Sequence, residues 1–78
     1  MSMSSIDLAF AKTLKQLRRT RHLTQEELAQ RAGLDYKHLQ KLEGKAPSSP
    51  TLSTLEKLAK GLDVSLTEFI ALIDEAQR

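Results

Sequence analysis

An all-α fold is predicted for this chain on three observations. Glycine and proline are scarce, with three of the first and two of the second in 78 residues. No segment of four or more residues alternates cleanly between apolar and polar, as a half-buried strand would. Three separate stretches, LTQEEL, LDYKHL and VSLTEF, share one local pattern that starts helices: an apolar residue, a short polar capping residue, then a second apolar residue five positions after the first.

The elements follow in order. MSMSS reads as a frayed tail of residues 1–5, and a single domain spans 6–76. The first helix starts near Ser4 or Ser5 and runs to about Arg21, with Ile6, Phe10, Leu14 and Leu17 on one face. The second spans about Thr24 to Ala32. Thr24 is its N-cap, Glu27 completes a capping box, and Leu23 staples onto Leu28. Leu28, Ala29 and Ala32 point inward. The third helix spans about Asp35 to Glu43, with Asp35 as N-cap, Leu34 stapling onto Leu39, and Leu39 and Leu42 inward. A loop, GKAPSSP, follows. The fourth helix starts near Pro50 or Thr51 and ends at Gly61, a suitable residue just past a helix end. Its stripe is Leu52, Leu55, Leu58, Ala59 and Leu62. The fifth runs from Ser65 to about Ala76, with Ser65 as N-cap, Glu68 closing a second capping box, and Val64 stapling onto Phe69.

Composition narrows the function classes. A chain of 78 residues closes one small, marginal core. It has no cysteine and only two histidines, His22 and His38, so no disulfide framework or thiolate metal site is expected. No apolar run approaches the roughly 18 residues of a membrane span. The N-terminus lacks the basic region and long apolar stretch of a secretory signal. The expectation is a cytoplasmic protein. No spacing of Asp, Glu, His and Ser suggests a nucleophile-base pair, and there is no glycine-rich phosphate loop, so an enzyme is not expected. Neither is a cofactor or a small-molecule ligand. The net charge is only +2, but it is unevenly spread. Lys12 to Lys45 carries nine bases against four acids, and residues 46–78 carry three against five. A basic front half fits an anionic partner on one face, and equally an unevenly charged solvated surface.

The second and third helices carry the functional signal. Only Gly33 and Leu34 separate Ala32 from the Asp35 cap. So short a link forces a sharp angle, and Gly33 accepts the positive φ such a corner requires. Ala29 is small enough to let the third helix approach. Two short helices joined this way form a helix-turn-helix, over residues 24–43. With Leu34, Leu39 and Leu42 facing the core, Tyr36, Lys37, Gln40 and Lys41 occupy the other side, uninterrupted by an acid. Lysine reaches the O6 and N7 edge of guanine, glutamine pairs twice with adenine, and tyrosine meets a thymine methyl or a phosphate. The expectation is that this helix enters the major groove of double-stranded DNA.

The stretch LRRTRHLTQEELAQRAGLDYKHLQKLEGK, followed by PTLSTLEKLAKGLDVSLTEF, resembles the phage-repressor-type helix-turn-helix family. That family includes Cro-like and xenobiotic-response-element regulators and the controller proteins of restriction-modification systems. The run of Thr24, Gln25, Glu27, Leu28, Ala29, Gly33, Leu39 and Glu43 carries the likeness. It implies a bundle of about five helices of the lambda-repressor-like type, with the third as recognition helix. Carried over by position, Gln25 implies a phosphate contact at the start of helix two, where helix geometry also favours an anion. Tyr36, Lys37 and Lys41 match base-reading positions, with Gln40 as a fourth. His38 matches a position at the groove edge and Lys45 one that meets a phosphate, while Arg19 and Arg21 are further phosphate candidates. Arg18 and Glu43 match an internal salt bridge. The sequence departs from the family at His22, where glycine is usual and a positive φ is expected, and after Glu43, where the loop is about one residue longer.

Helix five carries more apolar residues than a monomer core needs. Leu66, Phe69 and Ile73 suffice for the core, and Ile70 and Leu72 widen the arc. A symmetric homodimer through this helix (65–76) and part of helix four is expected, with Ile70, Leu72 and Ile73 at its interface. The functional expectation is a transcriptional regulator, a repressor or an activator, bound as a dimer to a short inverted repeat. RNA polymerase is a further candidate partner. The alternative is an antitoxin-type interaction module that binds a partner protein and autoregulates its operon.

Overall fold

The computed structural model describes residues 5–44 and 49–78. Among them are five helices: α1 (Ser5–Thr20), α2 (Gln25–Ala32), α3 (Tyr36–Leu42), α4 (Leu52–Gly61) and α5 (Leu66–Ala76). The all-α prediction holds, with every helix within a residue or two of its expected place. Ser5 is already the first residue of α1 rather than part of a tail. Residues 1–4 and Lys45 to Ser48 lie outside the described residues.

The helix starts obey local chemistry to different degrees. Thr24 closes a full capping box: its hydroxyl accepts from the Glu27 N–H, and Glu27 Oε1 accepts from the Thr24 N–H at 2.9 Å. Ser65 accepts from the Glu68 N–H at 3.0 Å, but only this half of its box is present. Thr51, which the sequence offered only as one of two possible starts, caps α4 through the Thr54 N–H at 3.1 Å. Asp35 departs from expectation. It holds the extended N-cap backbone, yet its exposed carboxylate makes no capping bond. That carboxylate is open to solvent, where a capping bond gains little over hydration.

Three helices end alike. The N–H groups of Leu23, Leu34 and Val64 reach back five residues to the carbonyls of Arg18, Ala29 and Ala59. The residue before each of these has positive φ: 57° at His22, 69° at Gly33 and 59° at Asp63. This is the Schellman ending, and the apolar residue that follows it is also the staple for the next helix. Each corner therefore closes one helix and opens the next. Gly61 is not such a corner, contrary to expectation. It is the buried last residue of α4, and a Cβ there would lie 3.1 Å from Leu28 Cδ1 and 3.3 Å from both Ala32 Cβ and Ala32 N. Its role is close approach of α4 to α2.

α1 packs against α5, α2 against both α3 and α4, and α4 against α5. Leu14, Leu28, Leu39, Leu42, Leu58, Leu62 and Phe69 are fully buried, and the rings of Phe10 and Phe69 meet at 6.1 Å between centroids. Burying each such side chain contributes roughly 1.5–3 kcal/mol, the main favourable term in so small a fold. Two residues placed on inward stripes are exposed: Ile6 at 50% and Leu52 at 76%. Both lie within two residues of a helix start. Ile73 is only 4% exposed and belongs to the protomer's own core.

Candidate nucleic-acid interface

α3 is a seven-residue helix held from one side. Leu39 and Leu42 are fully buried and Leu34 is half-buried against the core. Gly33 turns the chain at φ 69°, ψ 34°, the left-handed conformation in which a side chain is strained. What remains outside is Tyr36, Lys37, His38, Gln40 and Lys41, all exposed. No acid interrupts that face within the helix itself. Tyr36 and Gln40 are one turn apart, and Gln40 Nε2 donates to Tyr36 Oη at 3.0 Å. The two are thereby aligned on the outer surface as a pair, a relation that i, i+4 spacing permits but sequence alone did not single out.

Behind α3 lies a charged cluster that ties the motif together. Arg18 Nε donates to Glu43 Oε2 at 2.7 Å, and Arg18 Nη2 donates to Glu43 Oε1 at 2.9 Å. This bidentate pair is almost wholly withdrawn from water, with side-chain exposures of 11% and 1%. The hydrogen bonds from Arg18 to the Glu43 carboxylate raise the guanidinium pKa above its ordinary value, with burial acting the other way and charge attraction adding to the rise. Arg18 Nη1 also donates to the carbonyl of Leu23 at 2.8 Å, just ahead of α2. Removing one partner of such a pair strands the other charge, at a cost of about 3–5 kcal/mol. Gln25, the first residue of α2, donates from Nε2 to Glu43 Oε1 at 3.1 Å. Sequence reasoning missed this bond, because 18 residues separate its partners and no periodicity links them.

Arg19 is exposed near the end of α1, and Arg21 is half-buried in the turn beyond it. His22 is exposed and holds positive φ, as the glycine usual at this position in the family implied. Lys45 is outside the described residues. On α5, Ile70 is 41% exposed and Leu72 is half-buried. An open groove of about 620 Å³ runs beside Ile70, lined also by Ile6, Phe10, Pro50, Leu55 and Ile73. Among the described residues no group of three or more His, Cys, Asp or Glu could hold a metal ion, and no helix is long and apolar enough to cross a membrane.

Known proteins are similar in sequence and fold. A helix-turn-helix family model matches residues 14–69. The HTH-type transcriptional regulator y4dJ of Sinorhizobium fredii is 42% identical over 59 residues, covering 76% of this chain and 75% of that protein. The HTH-type transcriptional regulator SutR of Escherichia coli is 38% identical over 69 residues, which are 88% of this chain but 38% of SutR. The wild-type restriction-modification controller protein C.Esp1396I superposes with a TM-score of 0.85 at 27% identity, covering 95% of each chain. Its complex with a 19 base pair DNA duplex gives a TM-score of 0.84 at the same identity, over 94% of this chain and 96% of that one. The controller protein C.AhdI of Aeromonas hydrophila is 32% identical, with a TM-score of 0.74 over 81% of this chain and 94% of that one. With the corner, the buried ion pair and the outward face of α3 in place, the chain belongs to the helix-turn-helix family of DNA-binding transcriptional regulators.

Proposed function

We propose that this chain works as a homodimer, reading a short inverted repeat with α3 of each protomer in the major groove. The observation that carries the reading is the outer face of α3. Its long donor side chains are exposed while the apolar residues of the same helix are locked in the core. Tyr36, Lys37, Gln40 and Lys41 read base edges. Gln25, His38, Arg19 and Arg21 meet phosphates on either side, as does Lys45. The first backbone N–H groups of α2 lack intrahelical acceptors and sit at the positive end of its dipole, which favours an anion at Gln25. Glu26 and Glu27 oppose that attraction, and Glu27 is already engaged in the Thr24 cap.

The dimer face is assigned to α5 and the start of α4. Exposed Ile70 lies beside the groove that Ile6 also lines, whereas half-buried Leu72, on another side of α5, lines a separate groove with Lys12 and Gln16 and adds nothing to this face. The controller protein C.Esp1396I binds a 19 base pair duplex, a length that accommodates two half-sites one helical turn apart. A cytoplasmic regulator that blocks or recruits polymerase is the resulting picture. The named relatives are regulators and controllers, which favours this reading over an antitoxin.

Selection from a random DNA library with the purified chain tests the proposal. The expected result is enrichment of an inverted repeat whose half-sites lie about one turn apart. No enrichment would favour a protein-interaction module instead. On the selected site, Lys41→Ala should cost about 1–3 kcal/mol and relax preference at one base pair. A uniform loss across all sequences would instead reassign Lys41 to the phosphates.

A further inference from the structure

The Glu43 carboxylate is buried at the end of the recognition helix, yet it reaches the first residue of α2. We propose that Glu43 is a positioning residue for DNA-backbone binding and acts through Gln25. The inference rests on the reading of Gln25 as a phosphate contact. A glutamine amide ordinarily has two flips, one with the oxygen and one with the NH2 group toward a given neighbour. An ionised carboxylate only accepts, so beside Glu43 Oε1 only the NH2-inward flip makes a bond. One N–H of Gln25 Nε2 is then spent on Glu43. The second makes no hydrogen bond among the described residues and remains for an anion at the start of α2.

The cluster suits that task in three ways. Arg18 supplies two bonds to the same carboxylate, so the pair is neutral overall and does not repel an approaching phosphate as a bare glutamate would. Arg18 also holds the Leu23 carbonyl, fixing the backbone that leads into α2. Gln25 is half-buried and anchored before DNA arrives, so less rotamer freedom is lost on binding. Because Glu43 caps the end of α3, the phosphate contact on α2 and the base readers on α3 are set relative to one another. A Glu43 that merely paired with Arg18 would give stability without this coupling.

A double-mutant cycle on DNA binding distinguishes the two. Affinity for the selected duplex is measured by fluorescence anisotropy for the unaltered chain, Gln25→Ala, Glu43→Gln and the double variant, with folding followed by circular dichroism. Glu43→Gln should weaken binding about tenfold when Gln25 is present and about twofold or less when residue 25 is alanine. Equal losses in both backgrounds would overturn the positioning role. Should Glu43→Gln fail to fold, the unaltered chain carries the test by NMR. The Gln25 side-chain amide, assigned by its loss in Gln25→Ala, should be as rigid as the α2 backbone before DNA is added. A freely rotating amide would overturn the proposal. If the unaltered chain bound no duplex at all, the DNA reading would fall and this inference with it. Binding without coupling would remove this inference alone.

Discussion

His22, Gly33 and Asp63 hold the same left-handed backbone at three helix ends, and only one of them is glycine. Histidine and aspartate tolerate this region better than most residues, but a Cβ there still costs roughly 1–2 kcal/mol. His22→Gly removes that strain and loses part of the gain to the freer unfolded chain. It should raise stability by about 0.5–1 kcal/mol, read as a higher urea midpoint at unchanged slope. Gly61 behaves in the opposite way. Helix propensity favours alanine there by up to about 1 kcal/mol. A Cβ, however, would press on Leu28 and on the backbone of Ala32. Forcing extra volume into a packed core costs about 1–3 kcal/mol, so Gly61→Ala should be net destabilising in the same measurement. Sequence spacing drew attention to both glycines, Gly33 and Gly61, as helix endings. It could not tell a turn from a close approach, because the latter depends on which helix packs alongside.

The capping of α2 links an element to solution pH. Hydrogen bonds from the Thr24 backbone and hydroxyl hold the Glu27 carboxyl below its ordinary pKa, with the charge of Arg31 adding to them and burial opposing. A carboxyl whose folded value lies below its unfolded value binds fewer protons when native. Its contribution to stability is present above the unfolded value, about 4.3 for glutamate, and fades as pH falls through the folded value. Glu27→Gln should therefore flatten the acid side of a stability-against-pH curve recorded by chemical denaturation from pH 7 to pH 3. Thr24→Ala, which removes the cap itself, should cost about 1 kcal/mol at neutral pH. Helix starts were legible in the sequence because a cap involves residues only three apart. Whether the carboxylate turns inward was not, as Asp35 shows: the same position and backbone leave its charge in water.

Across the whole molecule, α5 divides its apolar residues between two tasks. Phe69 and Ile73 complete the protomer core, and Ile70 faces out beside the groove lined by Ile6. The two isoleucines should answer differently to substitution. Ile73→Ala removes core volume and should cost about 2–5 kcal/mol, enough to unfold much of a domain this small. Ile70→Asp should spare the protomer core and lower melting only by what association contributes, a loss that depends on protein concentration. It should halve the mass seen by light scattering at micromolar concentration and weaken binding to the inverted repeat. A monomeric mass for the unaltered chain would remove α5 from the dimer assignment.

The sequence by itself determined the helical class, the positions of the helices and the corner at Gly33. All three follow from interactions between residues at most five apart: caps, staples and apolar spacing. It also marked Tyr36, Lys37, Gln40 and Lys41 as one polar face of one short helix. Only the tertiary structure decided which members of the inward stripes stay in water: Ile6 and Leu52 are exposed, while Phe10, Leu14 and Leu58 on the same stripes are buried. It also brought Gln25 to the buried Arg18–Glu43 pair across 18 residues. Side chains so far apart in the chain meet only once α1, α2 and α3 have packed, and no local pattern encodes that meeting.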